Sequence, residues 1–401
     1  MMLAKHFKEA LPIIETIEAN GYQAFFVGGA VRDFILGLSI SDIDIATSAT
    51  PEVMQRIFDK VIPVGIEHGT VIVRHAHQSY EVTTFRSDGN YSDHRHPDQV
   101  TFISDLKEDL SRRDFTMNAI AMDRFGVLHD PFNGQNDIKN KQIQTVGNPA
   151  ARFLEDPLRM MRALRFVSQL DFSIENTTYQ AIHHQIPLIE TLAVERLAIE
   201  LEKMFAGSQY MQALALSTQV DLWRHLPVFQ DLPSIGHVVK KMSCPLHHLF
   251  ELSAFISCTY QDITIKEMAK KWKLSNHSLN KAKVLIDLAR LFNQQGLTTW
   301  LVYQLPSDLY KSFVRLIRNL TNQEITVDQL SVLANQLPLK SRKEMQVNGE
   351  DIVAMYPNRS KGAWLGTYLN EVEYAIVQRD VENDYQQIKE WLTKWHPPEI
   401  E

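Results

Sequence analysis

The sequence predicts a multidomain protein in which an α/β head is followed by all-α segments. Three observations carry this expectation. The chain has 401 residues, whereas single hydrophobic cores rarely grow past about 250 to 300. Residues 21–146 hold short β-branched or aromatic runs, and after Asn148-Pro149 the pattern turns to helical periodicity.

In the head, the runs AFFVGGAV, DIDIAT, GTVIVRH, YEVTTF and GVLHDPF are separated by helical stretches and turn residues, as strands alternating with helices require. Ahead of them, MMLAKHFKEALPIIETIEANG has Lys and Glu interrupting every apolar run, so it reads as an amphipathic helix and not as a signal peptide. Beyond the head, EDPLRMMRALRFVSQL and AVERLAIELEKMFAG carry helical spacing, with Gly207 as a helix stop. Pro227, Pro233, Pro245, Gly296, Pro306 and Pro338 cut the remainder into helices of ordinary length, without a regular repeat.

Composition narrows the function classes. With 44% hydrophobic and 22% charged residues the chain is globular. No apolar stretch reaches the roughly 18 residues of a membrane span, so a soluble protein without a membrane partner is expected. Cys244 and Cys258 show no CxxC spacing, which argues against a thiolate zinc site or a disulfide framework and for a reducing, cytoplasmic setting. The net charge of −7 does not exclude nucleic acid, because phosphate binding depends on local patches. Residues 231–290 hold nine Lys or Arg against five acids, while residues 371–401 hold eight acids against three bases.

The chemistry starts at Asp42-Ile43-Asp44-Ile45. Side chains alternate along a strand, so the two aspartates share one face and the isoleucines the other. Paired carboxylate oxygens suit a hard cation such as Mg²⁺, which keeps water and substrate phosphates in its other positions. A DxD alone reads more readily as a solvated strand end. Upstream, however, FFVGGAVRD places Gly28 and Gly29 between a strand and a helix start, where backbone N–H groups can meet a phosphate, with Arg32 as a fork for a triphosphate. This combination resembles the nucleotidyltransferase superfamily that includes DNA polymerase β, and GGAVRD followed by SDIDIATSATPE resembles its tRNA nucleotidyltransferase branch.

Glu81 in SYEVTTFR fits either an exposed strand glutamate or a third carboxylate bridging two metal ions, and the resemblance favours the second. In RRDFTMNA, Asp114 reads from its position as a helix cap; the resemblance implies Arg113 on phosphate or sugar and Asp114 near the ribose 2′-hydroxyl. His129-Asp130 stands without a second HD pair, so DPFNG is read as a turn-forming motif and not as a phosphohydrolase site.

EDPLRMMRALRF is the most informative motif. Asp156 and Arg159 lie three apart, which on a helix puts them on one face. An acceptor beside a donor can pair with a base edge that offers an amino group next to a ring nitrogen, the edge of cytosine and adenine. Guanine and uracil would leave mispaired polar groups, each costing roughly 1 to 3 kcal/mol. The match resembles the amino-acid template of the class II tRNA nucleotidyltransferases of bacterial type, which implies that C, C and A are added to the 3′ end of tRNA from CTP and ATP.

The same resemblance implies nucleotide contacts for Arg162 and Arg165. It implies charge-pair support of the template by Glu195 and Arg196, and a flexible loop at DGNYSDHRHPDQVTF containing Arg95. It further implies four parts: a polymerase-β-like catalytic head at 1–148, a helical neck at 149–207, a body at 208–300 and a tRNA-binding tail at 301–401. The tRNA acceptor arm is expected on the basic segments, with Lys270, Lys271, Lys273 and Lys281 as candidate contacts and either a monomer or a homodimer as the assembly. The rival readings are a poly(A) polymerase, a specialist adding only CC or only A, and an inactive RNA-binding protein. The acidic C-terminus argues against the first, and intact Asp42, Asp44 and Asp156 argue against the last.

Overall fold

The computed structural model describes residues 3–89 and 99–396. The chain divides into two compact units, Met1–Lys240 and Lys241–Glu401.

The first unit opens with the expected amphipathic helix, Lys5–Ala19, whose buried residues Phe7, Ala10, Ile13, Ile14 and Ile17 recur at helical spacing. Phe7 packs on Phe26 with ring centroids 4.8 Å apart, which seats this helix on the sheet. The strands are β1 (Ala24–Val27), β2 (Asp44–Thr47), β3 (Val61–Gly65), β4 (Thr70–His75), β5 (Gln78–Thr84), β6 (Arg86–Asp88), β7 (Val100–Phe102), β8 (Ala121–Met122), β9 (Leu128–His129) and a short parallel pair, β10 (Gln142–Ile143) with β11 (Ser173–Ile174). Seven form one mixed sheet in the order β3-β4-β5-β2-β1-β8-β9, and β6 pairs with β7 as a separate ribbon. Within the main sheet β2 and β5 run parallel, and the other pairs are antiparallel. The two strands of this sheet not expected from sequence, β3 and β8, were obscured for physical reasons. The first carries Pro63 and faces solvent at an edge, where a missing N–H is tolerated; the second is only two residues long.

Past the sheet, EDPLRMMRALRF is not one helix. Pro149–Glu155 ends at Asp156, and a second helix runs Leu158–Leu170. Pro157 is the cause: its ring disfavours the helical region for the preceding residue, and Asp156 sits at φ −142°, ψ 99°. The helix Val194–Ala206 packs against Leu158–Leu170 and stops before Gly207, as expected.

The second unit is helical. Leu249–Thr259 is buried on nearly all sides and includes Glu251, whose carboxylate accepts from Ser312 Oγ at 2.7 Å and from Arg315 Nε at 3.0 Å. Further along, Ile352, Tyr368, Val372, Ile376, Ile388 and Leu392 share a core built by the helices Gly349–Met355, Ala363–Gln378 and Tyr385–Trp395. No helix among the described residues is long and apolar enough to cross a membrane.

Candidate active site

Ile43 and Ile45 are buried while Asp42 and Asp44 are exposed, which is the alternation expected of this run, although the strand proper begins at Asp44. In the parallel pairing Asp44 lies in register with Glu81, so both carboxylates rise from one face of the sheet. Asp44 is open to solvent yet lines a recess, and its carboxyl is raised to about 6. Desolvation by the surrounding protein leads, then the charge of Glu81, opposed by Arg113, with Asp42 adding to the rise. The donors here are all oxygens, which suits a hard cation. Among the described residues no three His, Cys, Asp or Glu groups close around one point. Two of the three expected carboxylates, Asp44 and Glu81, line one recess together.

Next to this edge, Gly28 starts the helix Gly29–Leu36 with φ 73°, a backbone region that side chains other than glycine rarely enter. The glycine lies between Arg113 and Asp44: a Cβ built on it would be 3.5 Å from Arg113 Nη1 and 3.6 Å from Asp44 Oδ2. Arg32, buried on this helix, has its fork on Asp33, with Nε at 2.9 Å and Nη2 at 2.8 Å. Its Nη1 donates to Asn118 Oδ1 at 2.8 Å. One N–H on each terminal nitrogen therefore remains for a ligand.

Asp114 precedes a short 3₁₀ turn, Thr116–Asn118, and not an α-helix. Its Oδ1 accepts from Phe115 N–H at 2.8 Å and Asn118 Nδ2 at 3.0 Å, and its Oδ2 from Arg162 Nε at 2.8 Å, with Arg162 Nη2 forming an ion pair at 2.6 Å. Burial would raise its pKa, but Arg162 and these hydrogen bonds hold it down at about 2. Asp114 also strengthens the hold of Arg162 on its proton. Burial lowers Arg113, against the opposing charge of Asp109. Arg165 is pushed down to about 10 by burial despite Glu200, whose Oε2 is 3.0 Å from its Nε. The guanidiniums of Arg32, Arg162 and Arg165 surround the Phe166 ring at 5.0, 5.6 and 4.1 Å.

The DPFNG motif braces this turn. Asp130 accepts from the backbone N–H groups of Gly134 and Gln135, and Gly134 lies so close to the Thr116 carbonyl that a Cβ there would collide with it. Thr116 Oγ1 donates to Asp137 at 2.5 Å.

Asp156 and Arg159 both face the site, but not as a pair on one helix face. Asp156 accepts from Leu158 N–H at 3.1 Å and from Arg196 Nη2 at 2.8 Å. Arg159 donates to Glu155 at 2.6 Å and to the carbonyls of Arg152 and Arg112 at 3.0 and 3.1 Å. Each oxygen of Asp156 keeps one acceptor position. Among the described residues, Arg159 keeps its Nε–H and one Nη2–H.

These residues line one cleft of about 530 Å³: Gly28, Gly29, Arg32, Asp44, Arg113, Asp114, Asp156, Arg159, Arg162 and Arg165 all reach it. Six arginines, counting Arg196, face three aspartates there, a balance that favours a polyanion. Asp42 and Glu81 do not line it; Glu81 lines an adjoining recess of about 230 Å³ that shares Asp44 and Arg113 as its wall. Sequence reasoning missed Asn118, Phe166 and Gln169; the charge-pair support it expected of Arg196 appears as the contact with Asp156. The helical spacing of Arg162, Phe166 and Gln169 was the available signal for the last two. Arg95 lies outside the described residues. In the second unit Lys270, Lys271 and Lys273 are exposed, whereas Lys281 is held by Asp308 at 2.9 Å.

Comparison with known proteins gives three family matches: the Poly A polymerase head domain at residues 24–144, the RNA and SrmB-binding site of polymerase A at 171–232, and tRNA nucleotidyltransferase domain 2 at 251–392. The chain is 45% identical over 392 residues to a CCA-adding enzyme of Oceanobacillus iheyensis, covering 98% of each protein. With one of Anoxybacillus flavithermus it is 42% identical, covering 96% of this chain and 97% of the relative. A crystal structure of Bacillus stearothermophilus CCA-adding enzyme in complex with CTP superposes with a TM-score of 0.86 at 36% identity, covering 98% of both chains.

Proposed function

The chain belongs to the CCA-adding enzyme family, and from that premise we propose that it adds C, C and A in turn to the 3′ end of tRNA, consuming CTP and ATP and releasing pyrophosphate. The observation that carries this reading is the cleft itself, where a glycine helix start, an excess of arginines, and Asp156 with Arg159 converge. In this reading the tRNA 3′-hydroxyl attacks the α-phosphate of the bound nucleotide. Asp42, Asp44 and Glu81 are the groups that would hold Mg²⁺; two such ions would activate the attacking oxygen and offset charge on the leaving pyrophosphate.

The other roles fall to the chain's own groups. Backbone N–H groups at Gly28 and Gly29, with the remaining donors of Arg32 and Arg113, receive the triphosphate. Asp114 and Arg162 define the ribose position. Asp156 and Arg159 present an acceptor and donors to the base, and Arg165 stiffens the wall through Phe166. Arg196 holds Asp156 in place. We assign residues 1–148 to catalysis, 149–207 to base selection, and 208–300 and 301–401 to the tRNA. Lys270, Lys271 and Lys273 are proposed phosphate contacts, and the cytoplasm is the setting where the substrate occurs.

The test supplies purified protein and Mg²⁺ with CTP or ATP, alone and together, to tRNA ending before, within or after CCA. Stepwise completion to CCA and no further is expected. Long A tails on generic RNA would replace this reading by poly(A) synthesis, and no incorporation at all would leave an RNA-binding protein.

A further inference from the structure

The second unit holds a cavity of its own, about 560 Å³ in volume and walled by aromatic side chains. Trp391 and Trp395 stand four apart on the helix Tyr385–Trp395, so both rings lie on one face, with centroids 6.2 Å apart and planes inclined by 42°. The helix Ala363–Gln378 contributes Tyr374, whose ring meets Trp300 edge to face at 5.1 Å, and Trp300 in turn stacks on Tyr303 at 5.5 Å. Tyr374 is 44% exposed and Trp395 65%. Large rings left open to water around one hollow mark a binding surface.

The polar rim decides the ligand. Glu371 and Asp380 line the cavity, and no Lys or Arg among the described residues does. Glu371 is held by His396 Nε2 at 2.5 Å, whereas the exposed Asp380 carboxylate has no partner among the described residues. Residues 371–401 carry eight acids against three bases. Ring faces and carboxylates attract the same kind of group, a positive charge on an apolar frame. A phosphate would be repelled here, and a neutral apolar ligand would gain nothing from Asp380. We infer that this cavity is a site for an organic ammonium ion, namely a linear polyamine: its methylene chain lies against the rings, one ammonium over their faces and another beside Asp380. The site shares no residue with the nucleotide cleft.

The experiment titrates spermidine into the full-length protein by calorimetry, without tRNA or nucleotide and at constant ionic strength. Tryptophan emission reports the place of binding, since three of the six tryptophans line the cavity. One equivalent binds and shifts the emission, which Mg²⁺ at the same ionic strength does not. Trp395→Ala weakens binding roughly threefold or more, Trp395→Phe retains most of it, and Asp380→Asn weakens it by a similar factor to the alanine variant. Thermal melts check folding, and Asp380→Asn carries the test if Trp395→Ala does not fold. Equal affinity in all the folded variants would mean diffuse attraction to a chain of net charge −7 and would overturn the inference. So would displacement of spermidine by AMP with the same emission change, which would make the rings a stacking face for RNA bases. Neither result touches the assignment of CCA addition, which is tested without polyamine.

Discussion

At the scale of single residues, the two aspartates with the clearest titration respond to pH in opposite directions. Asp44 is raised to about 6, so the folded state holds its proton more tightly than the unfolded chain does. Its ionisation therefore works against folding: stability falls as pH rises from about 4 to 6 and is level above that. Without metal, melting curves of wild type and Asp44→Asn should diverge across this window, the variant losing the slope; added Mg²⁺ should raise the melting temperature of wild type alone. A wild-type curve that rises between pH 4 and 6 relative to the variant would refute this. Asp114, held at about 2, has the reverse sign: its contribution is complete above about pH 4 and is lost toward pH 2. For base selection, Asp156→Ala should relax the preference for C and A over G and U. Arg196→Ala should do so more weakly, roughly tenfold or less in relative kcat/KM, because it frees Asp156 without removing it. Unchanged selectivity in Asp156→Ala would remove the template argument.

At the scale of elements, Pro157 and Gly134 set geometry for side chains they do not touch. Pro157 breaks the helix at Asp156; Pro157→Ala should let it run through, turning Asp156 away and reducing discrimination among the four nucleotides with little loss of stability. Gly134→Ala forces a methyl into the Thr116 carbonyl. It should cost about 1–3 kcal/mol by denaturant melts and raise KM for CTP, since the displaced turn carries Asp114 and Asn118. The elements differed in how far they could be read in advance. Strands with β-branched alternation, the amphipathic first helix and the stop at Gly207 were all legible, because local pattern determined them. The break at Asp156 was overlooked although Pro157 announced it, since the periodicity on both sides is in phase enough to suggest one helix. Asn118 was less legible because one of its two partners, Arg32, lies 86 positions away, whereas the charge-pair support expected of Arg196 is met by its contact with Asp156.

At the scale of the whole molecule, the exposed lysines of the second unit lead to an expectation about salt. If Lys270, Lys271 and Lys273 meet phosphates, replacing all three by alanine should weaken tRNA binding and reduce the log–log salt slope by roughly one unit per lysine, with KM for CTP unchanged. Lys281→Ala should leave the slope nearly as it is, its charge being engaged by Asp308. A slope that ignores the triple replacement would move the acceptor arm elsewhere.

The cleft has one more consequence, for the lifetime of the protein. Each of the six guanidiniums lining the cleft already has a carboxylate partner, yet Arg32 and Arg159 keep donors open toward it, so a bound anion adds contacts that the empty cleft lacks. Any nucleoside triphosphate that fits acts as a folding ligand, and at a hundred times its dissociation constant it adds about 2.7 kcal/mol. Limited proteolysis of the purified protein should therefore slow as CTP or ATP is added, and an unchanged rate would show that neither nucleotide stabilises the fold.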